Sequence, residues 1–163
     1  MIGVGIIGVG RAGLIHARNF VNKVAHSRLV ALCDPHEETL ANAAKELEIE
    51  QTYTDYRRLL ADERVDAVIV VTPTVYHHEI VVAAAKMGKH ILCEKPMAMN
   101  EQEALEMHRA AEASKVILQI GFMRRFDASF RFAKQEIDRG AIGDVVLVKS
   151  LTHGPSTPQP WMY

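Results

Sequence analysis

The sequence predicts an α/β fold: a doubly wound parallel sheet in strand order 3-2-1-4-5-6, followed by the beginning of a second α/β domain. Three observations carry that prediction. Apolar, strand-like runs alternate with amphipathic, helix-like stretches from residue 2 to residue 120. The runs are short and almost wholly Ile, Val, Leu and Ala, as strands buried on both faces require. The first run also passes into the first helical stretch through a glycine-rich turn.

Residues 2–8 form the first buried strand. Leu14, Ala17, Val21 and Val24 then recur at helical spacing and predict an apolar helix face. A second strand over residues 29–33 closes at Asp34. A helix over residues 37–47, a short third strand at Tyr53 and a short helix over residues 56–61 follow. Residues 66–71 make the fourth strand, closed by Thr72 and Pro73. The next helix, residues 76–87, sets Ile80, Ala84 and Met87 on one face and stops at Gly88. Residues 90–93 form the fifth strand. Asn100 opens another helix, with Glu103 placed three residues on as in a capping box. Residues 116–120 are the sixth strand, ended by Gly121. Such alternation implies right-handed crossovers and helices on both faces of the sheet.

From residue 123 the pattern changes. Phe126, Phe130, Ala133 and Ile137 predict a helix ending at Gly140, and residues 145–151 predict a seventh strand. The proline-rich segment from His153 to Trp161 continues neither element. The expected division is a dinucleotide-binding domain, residues 1–122, and a helix and first strand of a second unit, residues 123–163.

Composition narrows the function classes. The 163 residues are 48% hydrophobic, enough for a sizeable core, and a net charge of −1 offers no electrostatic case for nucleic acid or an anionic membrane. Cys33 and Cys93 both end apolar runs and form no C-x-x-C, so buried, reduced thiols are expected, with no metal site. The start of the chain carries no basic signal-peptide region, and no apolar run approaches the ~20 residues that cross a bilayer. A cytoplasmic protein is expected.

The turn after the first strand is a complete G-x-G-x-x-G: Gly8, Gly10, Arg11, Ala12 and Gly13 belong to it. Following a strand, opening a helix and preceding an acid about 20 residues on, it is the pattern of a dinucleotide site. Gly8 permits the tight turn, Gly10 admits a pyrophosphate, Gly13 allows close helix–strand packing, and Asp34 accepts from the adenosine ribose. The bland alternative is a glycine turn in a fold that binds nothing. Asp34 favours NAD, because its carboxylate repels a 2′-phosphate. Arg11 either attracts that phosphate, which leaves NADP open, or pairs with Asp34.

Ligands of such sheets sit at the strands' carboxyl ends. Thr72, Pro73 and His77 follow the fourth strand, Glu94-Lys95-Pro96 the fifth, and Gly121 to Arg125 the sixth. A lysine at this place can stabilise the alkoxide formed as hydride leaves a substrate hydroxyl. It can equally be a surface lysine paired with Glu94.

Taken together, the glycine loop, the Thr72-Pro73…His77 segment, Glu94-Lys95-Pro96 and Gly121-Phe122-Met123-Arg124-Arg125 resemble the Gfo/Idh/MocA (glucose–fructose oxidoreductase / inositol dehydrogenase) family, inositol dehydrogenases above all. The resemblance runs the length of the chain. It implies a Rossmann-type domain, NAD as cofactor with NADP possible, and hydride transfer from a hydroxyl of a cyclic polyol or sugar. By the same resemblance Lys95 is the catalytic-site lysine, and Gly8, Gly10, Gly13 and Asp34 hold the cofactor. Thr72, Pro73 and His77 lie beside the dinucleotide, and Glu94 lies near its nicotinamide end. Arg125, with Thr152 or His153, faces substrate. Family enzymes also carry an Asp-x-x-x-His block for acid/base work and form homo-oligomers through a second-domain sheet. These 163 residues contain no such block, and neither His16, read as a structural helix residue, nor His77, His78 or His153 replaces it by spacing. That departure favours an alternative, a non-catalytic NAD(H)-binding module. A methyltransferase shares the glycine loop and the acid but not the Glu-Lys-Pro block.

Overall fold

A computed structural model of the chain describes residues 1–151. They fall into two compact units, Met1–Phe122 and a second that begins at Met123. The first unit is a six-stranded sheet in the order β3-β2-β1-β4-β5-β6, every neighbouring pair parallel. The strands are β1 (Ile2–Ile7), β2 (Ser27–Cys33), β3 (Thr52–Tyr53), β4 (Ala67–Val70), β5 (His90–Cys93) and β6 (Leu118–Ile120). Between them run α1 (Arg11–Asn22), α2 (Glu37–Leu47), α3 (Tyr56–Leu60), α4 (His77–Lys86) and α5 (Glu101–Ala113).

Side-chain alternation along the strands builds one core on each face. Ile6, Leu32 and Ile69 point to the side covered by α1 and α2, where they meet Ala17, Leu40, Ala43 and Leu47. Their neighbours Ile7, Cys33, Val68 and Val70 point to the other side, against Leu59, Leu60, Ile80, Val81, Ala84 and Met107 of α3, α4 and α5. Each fully buried aliphatic side chain contributes roughly 1.5–3 kcal/mol of transfer free energy. These two layers fix the sheet and hold its carboxyl ends in place.

Caps set the helix boundaries. The Asn100 side chain accepts from the Glu103 N–H at 2.9 Å, while the Glu103 carboxylate reaches back to the Met99 N–H and the Asn100 amide. That is the expected box, with the glutamate gripping one residue earlier. One helix face is corrected: Val21 and Val24 are exposed, and Phe20 packs on the core with Leu14. Helix α1 ends at Asn22, so Val24 lies beyond it.

In the second unit, a one-turn 3-10 helix, Met123–Arg125, precedes α6 (Ala128–Asp138). The Asp127 carboxylate caps α6 by accepting from the Ser129 and Phe130 N–H groups. The expected helix is present, but Phe126 and Phe130 of its apolar stripe are exposed. The expected strand over residues 145–151 is not formed. A strand needs a neighbour to satisfy its N–H and C=O groups, and residues 145–151 pair with none of the described residues. Among the described residues no helix is long and apolar enough to cross a membrane, and no three His, Cys, Asp or Glu side chains are grouped to hold a metal ion.

Candidate functional site

The strand order reverses between β1 and β4, and at the carboxyl ends of the strands there the first unit opens a cleft of about 650 Å³. Its lining includes Gly8, Gly10, Asp34, Thr72, Pro73, Tyr76 and Glu79, with residues 54–57. A crevice at this switch point is where open α/β sheets take their ligands.

The glycine loop is built by close approach. Gly8 has φ +92°, and a Cβ there would stand 2.8 Å from the Val71 carbonyl oxygen. A Cβ on Gly13 would stand 1.9 Å from the Gly8 carbonyl oxygen, so the helix can start beside the strand only with glycine at that point. Gly10 is different: a Cβ there would meet nothing within 4 Å, and the space over the loop stays open. No side chain caps the start of α1, and its first turn carries no acid. Its leading N–H groups and positive dipole end are therefore left for an anionic ligand. Arg11 and Ala12 are exposed in that first turn, and Arg11 forms no ion pair with Asp34 or any other described residue.

Asp34 follows β2 directly and is buried at 7% exposure. One carboxylate oxygen accepts the Val9 N–H at 2.9 Å, and the other accepts the His36 N–H at 3.0 Å. The acid thus braces the glycine loop as well as lining the cleft. Residues 54–57 form the wall beyond it, where the Arg57 guanidinium lies 4.5 Å over the Tyr56 ring and 3.5 Å from Asp55. Burial pushes the thiols of Cys33 and Cys93 up to about 12, so both stay protonated and unreactive near neutral pH.

Across the switch point, the buried hydroxyl of Thr72 has no hydrogen-bond partner among the described residues. Leaving such a group unpaired costs on the order of 1–3 kcal/mol, which a ligand can recover. His77 is buried below the cleft surface, its Nδ1 2.9 Å from the Pro96 carbonyl oxygen and its Nε2 2.8 Å from that of Thr72. Both partners are acceptors, so the ring nitrogen that carries the proton donates to the carbonyl it faces. The ring thereby ties the turn after β4 to the turn after β5. Glu94 is held there by His16, Nε2 to Oε1 at 2.9 Å, and its other oxygen accepts the Lys95 N–H at 3.1 Å. The Lys95 side chain is exposed and makes no ion pair with Glu94.

Gly8, Gly10, Asp34, Thr72 and Pro73 therefore line one cleft, with Lys95 and Glu94 at the adjoining strand end. Arg125 is exposed in the second unit, and Thr152 and His153 lie outside the described residues. Sequence reasoning missed residues 54–57 and Glu79 as walls of the cleft. The strand-end rule reaches residues 54–57, since they follow β3, but a two-residue strand is a faint signal. It also missed the bond from His16 to Glu94, 78 residues apart in sequence.

The family model described as "Oxidoreductase family, NAD-binding Rossmann fold", Gfo/Idh/MocA, matches residues 2–122. The scyllo-inositol 2-dehydrogenase (NAD(+)) of Bacillus subtilis is 39% identical over 153 residues, which is 94% of this chain and 45% of that protein. The myo-inositol 2-dehydrogenase of Thermotoga maritima is 37% identical over 95% of this chain and 46% of its own length. Among solved structures, scyllo-inositol dehydrogenase from Lactobacillus casei with bound NAD(H) and scyllo-inositol matches with a TM-score of 0.85 and 36% identity. That match covers 88% of this chain and 43% of the other. The chain spans just under half the length of the curated relatives it matches. It belongs to the Gfo/Idh/MocA oxidoreductase family and carries that family's NAD-binding Rossmann domain.

Proposed function

We propose that this member of the Gfo/Idh/MocA family supplies the cofactor half, and the lysine, of a dehydrogenase moving hydride between NAD and a hydroxyl of a cyclic polyol or sugar. The observation that carries the reading is the cleft at the switch point. It combines open space over Gly10, an uncapped helix start, an unpartnered Thr72 hydroxyl and the buried acid Asp34. That donor and acceptor set suits a ribose and a pyrophosphate.

Each residue has a distinct task. The loop N–H groups take the pyrophosphate, with Arg11 and Ala12 at the start of α1. Asp34 accepts from the adenosine ribose and opposes a 2′-phosphate, which favours NAD over NADP. Thr72 and Pro73 line the passage to the nicotinamide half, and Glu94 stands at its far end. When bound, the cofactor supplies a hydride acceptor. Lys95 hydrogen-bonds the substrate hydroxyl and stabilises the alkoxide that develops there. Arg125, Thr152 and His153 are assigned to substrate.

Residues 1–163 are expected to bind NADH, measured by nicotinamide fluorescence, and to leave myo-inositol, scyllo-inositol and glucose unoxidised. Binding rests on elements that all lie between Ile2 and Pro96. Turnover also needs a base for the hydroxyl proton and walls that orient the carbon. Robust turnover by these residues would overturn the expectation and assign that base to His153, since both ring nitrogens of His77 face backbone carbonyls. No binding of NADH would end the reading.

A second reading, an NAD(H)-binding module without turnover, is favoured by the exposed Lys95 side chain, which makes no ion pair with any described residue. Polyol-dependent reduction of bound NAD, lost in Lys95→Ala, would exclude it.

A further inference from the structure

We propose that His16 is a positioning residue. By gripping Glu94 it fixes the Glu94–Lys95 turn against the helix that starts at the glycine loop, so the nicotinamide half of a bound dinucleotide depends on it and the adenosine half does not. This rests on the reading of the cleft as a dinucleotide site.

His16 lies in the second turn of α1, three residues past Gly13. Its Nε2 is 2.9 Å from Glu94 Oε1, with the two side chains 25% and 22% exposed. The carboxylate has few other places to go. Its second oxygen accepts the Lys95 N–H at 3.1 Å. A Cβ on Gly121 would stand 3.0 Å from the carboxyl carbon, so the end of β6 closes the other side. The backbone frame is pinned as well, with the Glu94 N–H donating to the Val70 carbonyl and the Gly121 N–H to the Cys93 carbonyl. His77 holds the far end of the turn through the Pro96 carbonyl. Among these contacts, His16 alone connects the turn to the helix whose start receives the phosphates.

Bonds to an ionised acceptor are roughly twice as strong as neutral ones, so removing this donor frees a carboxylate otherwise held by one amide. The effect is polarised by topology. Glu94 follows β5, on the β4–β6 side of the switch point, whereas Asp34 and residues 54–57 lie on the β2–β3 side. A merely structural tie between α1 and β5 would loosen the glycine loop and weaken every nucleotide alike.

The test measures NADH and ADP-ribose affinity on residues 1–163, because ADP-ribose lacks the nicotinamide. His16→Ala is expected to weaken NADH by about tenfold, the loss of one hydrogen bond to a charged group, and to leave ADP-ribose within about twofold. Retained ADP-ribose binding also shows that the variant is folded. His16→Gln, whose amide still donates to Glu94, is expected to recover most of the loss. In a Glu94→Ala background His16→Ala is expected to add nothing, since its partner is already gone. Equal losses for the two ligands, unchanged NADH affinity, or additive losses in the double variant would each overturn the proposal. A wild-type chain that binds neither ligand would overturn the dinucleotide reading itself, and this proposal with it.

Discussion

At the amino ends of the strands, Asp66 accepts the Gly3 N–H at 2.7 Å, and the Lys89 ammonium donates to the carbonyls of Asp62 and Val65. The Asp62 carboxylate there takes two bonds from the Arg64 guanidinium and one from the Tyr53 hydroxyl. At the carboxyl ends of the same sheet, among the described residues, the Thr72 hydroxyl is unpartnered, the start of α1 is uncapped and the Lys95 side chain is unpaired. The polar groups named at the amino ends are satisfied within the fold, whereas these three at the carboxyl ends are not. Substitutions at the two ends should therefore have separable consequences.

The largest expected effect tests the open end. In any form of the protein that turns over, Lys95→Ala should lower kcat by about 10²-fold or more, as loss of a positioned catalytic group does. NADH affinity should move by less than about threefold, and the melting temperature should hardly move, because the ammonium makes no hydrogen bond or ion pair with any described residue. Near-normal turnover would remove Lys95 from the chemistry. A large loss of stability would break the contrast between the two ends.

Asp34→Ala comes next and sharpens the contrast, because this acid belongs to both categories. Its carboxylate faces the cleft and also accepts the Val9 and His36 N–H groups. A charge-assisted bond to the ribose is worth ~1.5–3 kcal/mol, so NAD affinity should fall by about 10- to 100-fold. NADP should lose less, since the variant also removes a repulsion of its 2′-phosphate. Equal losses in parallel titrations would show that Asp34 acts only by bracing the loop.

What was legible in the sequence follows the same divide. The six strands, their order and the glycine loop are local signals: runs of Ile and Val, spaced glycines and an acid after the second strand. They stand where expected because β-branched strands and short crossovers leave few alternatives. Features set by distant partners were less legible. Helical spacing alone did not tell Phe20 from Val21 or Val24, since the choice depends on which side of α1 meets the sheet. Side-chain type predicts a strand over residues 145–151, but pairing makes a strand, and type does not supply a partner. The position of His77 after the fourth strand is legible, while the two backbone carbonyls its ring faces are not. His16 could be located on the helix but not joined to Glu94 without the fold.

The smallest expected effect tests the paired end. Arg64 and Tyr53 hold the Asp62 carboxyl well below the usual carboxylate range, the Arg64 hydrogen bond being the largest cause. The carboxylate is buried at 6% exposure but the guanidinium is half exposed, so solvent screens the pair and Asp62→Asn should cost on the order of 1 kcal/mol. NADH affinity at pH 7 should be unchanged. A depressed native pKa means that the unfolded chain takes up the proton first, near its ordinary value of about 3.9. The stabilisation is therefore complete well above that value and is lost as pH falls through it toward the native pKa. Urea denaturation of both chains at pH 7, 4 and 3 should show a gap between wild type and Asp62→Asn that is widest at pH 7 and narrows with acid. A gap independent of pH would mean that Asp62 stabilises through shape and neutral hydrogen bonding. A gap accompanied by weaker NADH binding would mean that the two ends of the sheet are coupled, and the separation drawn between them would fail.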